Sequence, residues 1–219
     1  FRTAGIDRFM PGHSNGSSHG ETRIIRLGYF EHSSYVPLLR RSYQLWRELE
    51  ADSGRKLMRI TGIIEIGLPG GRLVTGTLAA IQEHDLAHEI LDSVDTMKRF
   101  QAFRIPSDFV GVHQPDGGFL AAEASVEAMV TLARAAAAEV IAGVRVLSIE
   151  PHGHGVHIRT DADDIEARTV IVAAGPWVPH LLSELPLPIR VTREVMGWFT
   201  PLKAGPFAPG RFPVFILES

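Results

Sequence analysis

Apolar positions change period along the chain, and each change predicts an element. Tyr35, Leu38, Leu39, Leu45, Trp46 and Leu49 recur every three or four residues, with Arg40, Arg41, Gln44, Arg47 and Glu48 between them. That spacing predicts an amphipathic helix over 36–50, with Pro37 in its first turn and Asp52-Ser53-Gly54 as its stop. Leu57 to Ile66 is rich in isoleucine on both sides of Thr61-Gly62 and reads as strands, closed by a Gly/Pro turn over 67–71. A second helix is expected over 75–87. A third begins at Asp92, with a short acid in cap position and Asp95 in the first turn, and runs to about Phe100.

Gln114-Pro115-Asp116-Gly117-Gly118 predicts a turn between two extended runs, Phe109–Val112 and Phe119-Leu120. An alanine-rich helix follows over about 124–138. From Val144 to Val172 the alternation is that of strands, broken by a turn over 151–155. Thr169 to Gly175 is apolar on both faces and reads as a fully buried parallel strand whose small C-terminal residues admit a ligand. Pro188 to Phe199 and Phe212 to Leu217 are again extended, so 188–219 reads as half a sheet. The fold class expected is mixed α/β.

One stretch fits no regular element. Residues 13–26 run His-Ser-Asn-Gly-Ser-Ser-His-Gly-Glu-Thr-Arg-Ile-Ile-Arg. Glycines let backbone approach a ligand, and serine hydroxyls with backbone N–H groups offer donors to anionic oxygens. Arg23 and Arg26 share a face if the chain is helical there, and two guanidinium groups suit a phosphate, a carboxylate or an electron-rich ring. Upstream, Thr3-Ala4-Gly5-Ile6-Asp7 reads as a short strand ending in an acid. In a dinucleotide-binding βαβ unit such an acid receives ribose hydroxyls. The glycine fingerprint of that unit belongs about 20 residues earlier, and G-x-G-x-x-G occurs nowhere in the 219 residues. The chain therefore reads as a piece starting inside a Rossmann-type unit.

Asp7-Arg8-Phe9, Pro11 and the whole run from His13 to Arg26 closely resemble the early part of monomeric sarcosine oxidase and its relative N-methyltryptophan oxidase. Further matches follow in order at Tyr35–Leu38, Leu45-Trp46, Thr61-Gly62, Gly117-Gly118, Arg145-Val146 and Ala174–Trp177. The resemblance implies a Rossmann-like FAD-binding domain (1–56 and 124–186) interleaved with an antiparallel-sheet substrate domain (57–123 and 187–219), both incomplete. It implies oxidation of a secondary or N-methyl amino acid such as sarcosine, with hydride passing to FAD and O2 then giving peroxide. It also carries roles over. Asp7, with Arg8 beside it, binds the adenosine ribose, and Ser17, Ser18 and His19 line the flavin. Arg23 lies near the isoalloxazine ring, and Arg26 pairs with the substrate carboxylate. Val146 meets the adenine side, and Ala174, Gly175 and Trp177 close the sheet end. Ser18 departs from relatives that have a second histidine there.

Composition narrows this reading. An apolar fraction of 45% and a net charge of −3 give no reason to expect nucleic acid or an anionic membrane as partner. Without cysteine there is no disulfide, thiolate metal site or cysteinyl flavin link within these residues. His84 and His88, and the histidines at 152, 154 and 157, read as surface groups, and no metal is expected. The parent is expected to be a cytoplasmic monomer acting on a small amino acid with O2. Two other readings stand beside this one: an inactive or non-catalytic piece of such an oxidase, and a related glycine or D-amino acid oxidase or dehydrogenase.

Overall fold

The computed structural model describes residues 2–218. In chain order the strands and helices are β1 (Ala4–Asp7), β2 (Thr22–Ile25), α1 (Tyr35–Ser53), β3 (Met58–Ile60), β4 (Ile63–Gly67), α2 (Arg72–His84), β5 (Glu89–Asp92), α3 (Ser93–Arg99), β6 (Val110–Gln114), β7 (Gly118–Ala121), α4 (Ala122–Ala135), β8 (Glu139–Ala142), β9 (Val146–His152), β10 (Gly155–Thr160), β11 (Ile165–Ala167), α5 (Val178–Leu181) and β12 (Val214–Leu217). They fall into two compact units interleaved along the sequence. The first takes the chain up to Glu21 and Ala122–Gly197; the second takes Thr22–Ala121 and the chain from Trp198 on.

In the first unit β1 pairs in parallel with β8, Asp7 lying beside Ala142. Helix α4 leads into β8, and β9, β10 and β11 form an antiparallel meander. The second unit holds two sheets. One has the order β12-β4-β6-β5, with β12 parallel to β4 and the other pairs antiparallel. The other has the order β2-β7-β3. Every residue of β4 is buried. Because side chains alternate along a strand, Ile64 and Ile66 face one way, onto Phe100 and Phe103. Glu65 faces the other way, onto Thr77 of α2. Val36, Val74, Ala80, Ile81, Leu86 and Val112 form the core beside α2.

Helix α1 forms where its periodicity places it, and ends at Gly54 in the left-handed region. Val36 and Tyr43, seven residues apart, are its buried positions, with Trp46 packed against the Ile25–Tyr43–Leu120 cluster. Leu38 and Leu45 have the same spacing two residues on, hence another face, and stay exposed. The Tyr43 hydroxyl donates to the Asp116 carbonyl at 2.6 Å, and burial pushes its pKa well above the usual tyrosine range. Helix α3 is capped as its sequence predicts: the Asp92 carboxylate accepts from the Asp95 N–H at 2.7 Å.

The turn after Gln114 forms between two strands as expected, and β6 and β7 enter different sheets. Two expectations need correction. Thr169 to Ala174 is not a strand, and Ile171 is 88% exposed. Residues 188–199 have no regular structure, with Val195 and Phe199 over nine-tenths exposed. The same physics governs both: an apolar run becomes a strand only with a hydrogen-bonded neighbour, and no described strand pairs with either run. Strands β5 and β8 were not legible in the pattern; each is four residues long and mostly exposed or half-buried.

Gly118 lies between β2 and β3, where a Cβ would come 2.1 Å from the Arg59 carbonyl oxygen. Gly118→Ala in the full protein is expected to lower stability by about 1–3 kcal/mol, read from the midpoint of urea unfolding.

Candidate functional site

Asp7, Arg8 and Trp177 meet at the C-terminal end of β1. Asp7 ends that strand with its side chain about half exposed. Its Oδ1 accepts from the Phe9 N–H at 2.9 Å, and its Oδ2 lies 3.6 Å from His13 Nε2. The Asn15 N–H donates to His13 Nδ1 at 3.1 Å, so a neutral His13 carries its proton on Nε2, toward the acid. The Phe9 ring packs on His13 at 4.8 Å and on Trp177 at 5.8 Å, with the Arg8 guanidinium 5.3 Å from the Phe9 centroid. Phe9 thereby links them, by its N–H to Asp7 and by its ring to Arg8 and Trp177. The Val144 N–H donates to the Asp7 carbonyl at 3.2 Å, and Val146 opens β9 two residues later.

Ser17 and Ser18 are exposed and His19 half-buried. The loop that carries them is anchored at Gly20, which is buried, has φ +102°, and donates its N–H to Glu123 Oε1 of α4 at 3.0 Å. Ala174 precedes the single 3-10 turn Gly175–Trp177. Gly175 has φ +50°, and nothing lies within 4 Å of where its Cβ would stand. Backbone is therefore open to a ligand there.

The two arginines belong to the second unit, and they do not share a face. The segment is not helical: Arg23 lies in strand β2, which ends at Ile25, and Arg26 is the first residue after it. Arg23 is half-buried, and its Nη1 donates to the Thr22 carbonyl at 2.7 Å. Arg26 is 8% exposed. Its guanidinium carbon stands 4.2 Å from the Tyr29 ring centroid. Nη2 donates to Glu31 Oε2 at 3.3 Å, and Nε lies 3.2 Å from Glu65 Oε1. These last two atoms are close but not aligned as a hydrogen bond.

Glu65 is the group that sequence reasoning passed over. It is fully buried, and its Oε2 accepts from Thr77 Oγ1 at 2.7 Å and Gln114 Nε2 at 3.2 Å. Gln114 Oε1 in turn accepts from the Gly28 N–H at 3.0 Å. A Cβ at Gly28 would fall 2.6 Å from that oxygen, so a larger residue would displace the Gln114 amide from this contact. Burial pushes the Glu65 carboxyl up to about 7, against the hydrogen bond from Thr77 and the charge of Arg26, which pull it down. The signal was present: one acid inside Ile63-Ile64-Glu65-Ile66.

The histidine pairs are local. His84 Nε2 is 2.9 Å from the Ser33 carbonyl, His88 Nδ1 is 3.0 Å from the Leu86 carbonyl, and His157 Nε2 is 3.2 Å from Asp164 Oδ2. Among the described residues no group of three potential ligands converges, and no helix is long and apolar enough to cross a membrane.

The chain belongs to the FAD dependent oxidoreductase (DAO) family, which matches it over residues 1–219. It is 36% identical to the monomeric sarcosine oxidase of Streptomyces avermitilis over 99% of its length, and 34% identical to the N-methyl-L-tryptophan oxidase of Yersinia pestis over 97%. In each case it spans 57% of the relative. The solved structure of NikD, an unusual amino acid oxidase essential for nikkomycin biosynthesis, superposes with a TM-score of 0.75 at 31% identity, covering 84% of this chain and 48% of that one. Glycine oxidase from Geobacillus kaustophilus shares the fold at 18% identity, with a TM-score of 0.68 over 82% of this chain and 50% of that one. The first unit fits the family's cofactor: a half-exposed carboxylate ends a parallel strand, where a ribose is received, and the backbone at Gly175 is open.

Glu65 gives a stability test with a definite sign. Its folded pKa lies above the ordinary value of 4.5, so its contribution is fully present below that value and is lost as pH rises through about 7. Between about pH 5 and 7 the wild-type full protein is expected to lose stability relative to Glu65→Gln, by up to about 1.4 kcal/mol per pH unit. Urea unfolding at several pH values measures this, and parallel curves for the two proteins would remove the assignment.

Proposed function

We propose that the complete protein is an FAD-dependent oxidase of a secondary or N-methyl amino acid such as sarcosine, with O2 as oxidant. The observation that carries this reading is the unbroken similarity, over nearly all of the chain, to two relatives named for N-methyl amino acid substrates. In this proposal the first unit holds the cofactor. Asp7 takes the adenosine ribose, with Arg8 and Val146 on the adenine side. Ser17, Ser18 and His19 line the flavin, and Ala174, Gly175 and Trp177 close the strand end. FAD bound there supplies the two-electron oxidation of the amine and delivers the electrons to O2 as peroxide.

Arg26 takes the substrate carboxylate. A guanidinium held from one edge by a buried acid and braced on the Tyr29 ring is fixed in orientation before a ligand arrives. Its Nη2 partner, Glu31, has a 40% exposed side chain and a long contact of 3.3 Å. An incoming carboxylate replaces that contact at small cost, because exposed pairs contribute only about 0–1 kcal/mol.

Two measurements test the reading. Peroxide release by the full protein across sarcosine, N-methyltryptophan, proline and glycine is expected to favour an N-methyl substrate. Release with glycine alone points instead to the glycine oxidase type, and a protein without flavin absorbance points to a non-catalytic role. Arg26→Ala is expected to weaken carboxylate ligands by about 1.5–3 kcal/mol, and unchanged affinity would show that Arg26 is not their partner.

A further inference from the structure

The geometry points to Glu65 as the positioning residue that sets the strength of Arg26 as a carboxylate receptor, ligand binding being coupled to uptake of a proton by Glu65. This rests on the reading of Arg26 given above and deepens it. Glu65 has the placement such a role requires. It lies beside the Nε edge of the guanidinium at 3.2 Å and leaves the Nη2 side to Glu31 or its replacement. Its own position is fixed from two other elements, by Thr77 of α2 and by Gln114 of β6, and Gln114 also ties down Gly28 two residues beyond Arg26. One tetrad therefore sets both the guanidinium and the backbone that follows it.

Charge makes the coupling. The charged groups facing Glu65 are Arg26 and Glu31, both from the segment after β2, while α2 and β6 present the neutral Thr77 and Gln114. With both acids ionised, Arg26 is already over-compensated, and a third carboxylate meets net negative charge in a site where Arg26 is nine-tenths buried. A proton on Glu65 removes one of those charges. Its carboxyl, pushed up to about 7, can take that proton near neutrality. Balance is simple: carboxylate and H+ enter together, no bond to carbon changes, and the proton rests on a Glu65 oxygen.

The test uses the full flavoprotein with phenylacetate as probe and phenylacetamide as its uncharged isostere. Binding is read by calorimetry in buffers of different ionisation enthalpy. Phenylacetate is expected to bind about tenfold more weakly at pH 8 than at pH 6, with up to one proton taken up, and phenylacetamide to show neither effect. Glu65→Gln is expected to abolish the proton uptake and the pH slope and to bind phenylacetate at pH 8 as wild type does at pH 6. Thr77→Val, which removes a hydrogen bond to the carboxylate, is expected to move the midpoint of the slope to higher pH; it serves also if Glu65→Gln does not fold. An unchanged slope in Glu65→Gln, or an unmoved midpoint in Thr77→Val, overturns the proposal. If Arg26→Ala binds phenylacetate as wild type does, the underlying assignment of Arg26 has failed instead, and the two failures are told apart by which variant reveals them.

Discussion

A buried acid facing a buried guanidinium is the constraint on which the second unit depends. Burying either charge alone would cost several kcal/mol, and their mutual attraction offsets that cost only when the remaining lone pairs are satisfied. Thr77 and Gln114 satisfy one oxygen of Glu65. The other faces Arg26 without hydrogen-bond alignment. The result is a carboxyl that is held in place while burial pushes it up to about 7. It joins β2, β4, α2 and β6, so the sheet with every β4 residue buried and the arginine that follows β2 form one electrostatic system.

The first unit works by different means. Among its described residues no charge is buried; a parallel strand pair fixes it, and its candidate residues lie at the strand's end and on an exposed loop. The aromatic chain His13–Phe9–Trp177 and the Gly20–Glu123 hydrogen bond hold that loop by packing and by one backbone donor. Two construction principles thus sit in one chain: exposed hydrogen-bonding groups at a strand end and on a loop, and a buried cation braced by a buried acid.

Much of the candidate site could be read without coordinates. The run from His13 to Arg26 identified the family, and the short strand ending in the acid Asp7 forms as its sequence predicts. Helix α3 showed its cap in Asp92 and Asp95, because capping is a contact between neighbours in sequence. Glu65 was missed because its meaning lies in Thr77, Gln114 and Arg26, which stand 12, 49 and 39 residues away. The shared face proposed for Arg23 and Arg26 failed because it assumed a helical period in a segment that β7 draws into a ladder.

What the sequence by itself determined is whatever depends on short-range pattern: the amphipathic α1, its glycine stop, the capped α3, the β9–β10 turn, and the residues that mark the family. The tertiary structure decided which apolar runs became strands, which sheet each strand joined, and what surrounds Arg26. The reason is physical. Helices close their hydrogen bonds within four residues, whereas a strand, a buried charge and a titrating carboxyl take their character from partners that the fold alone supplies.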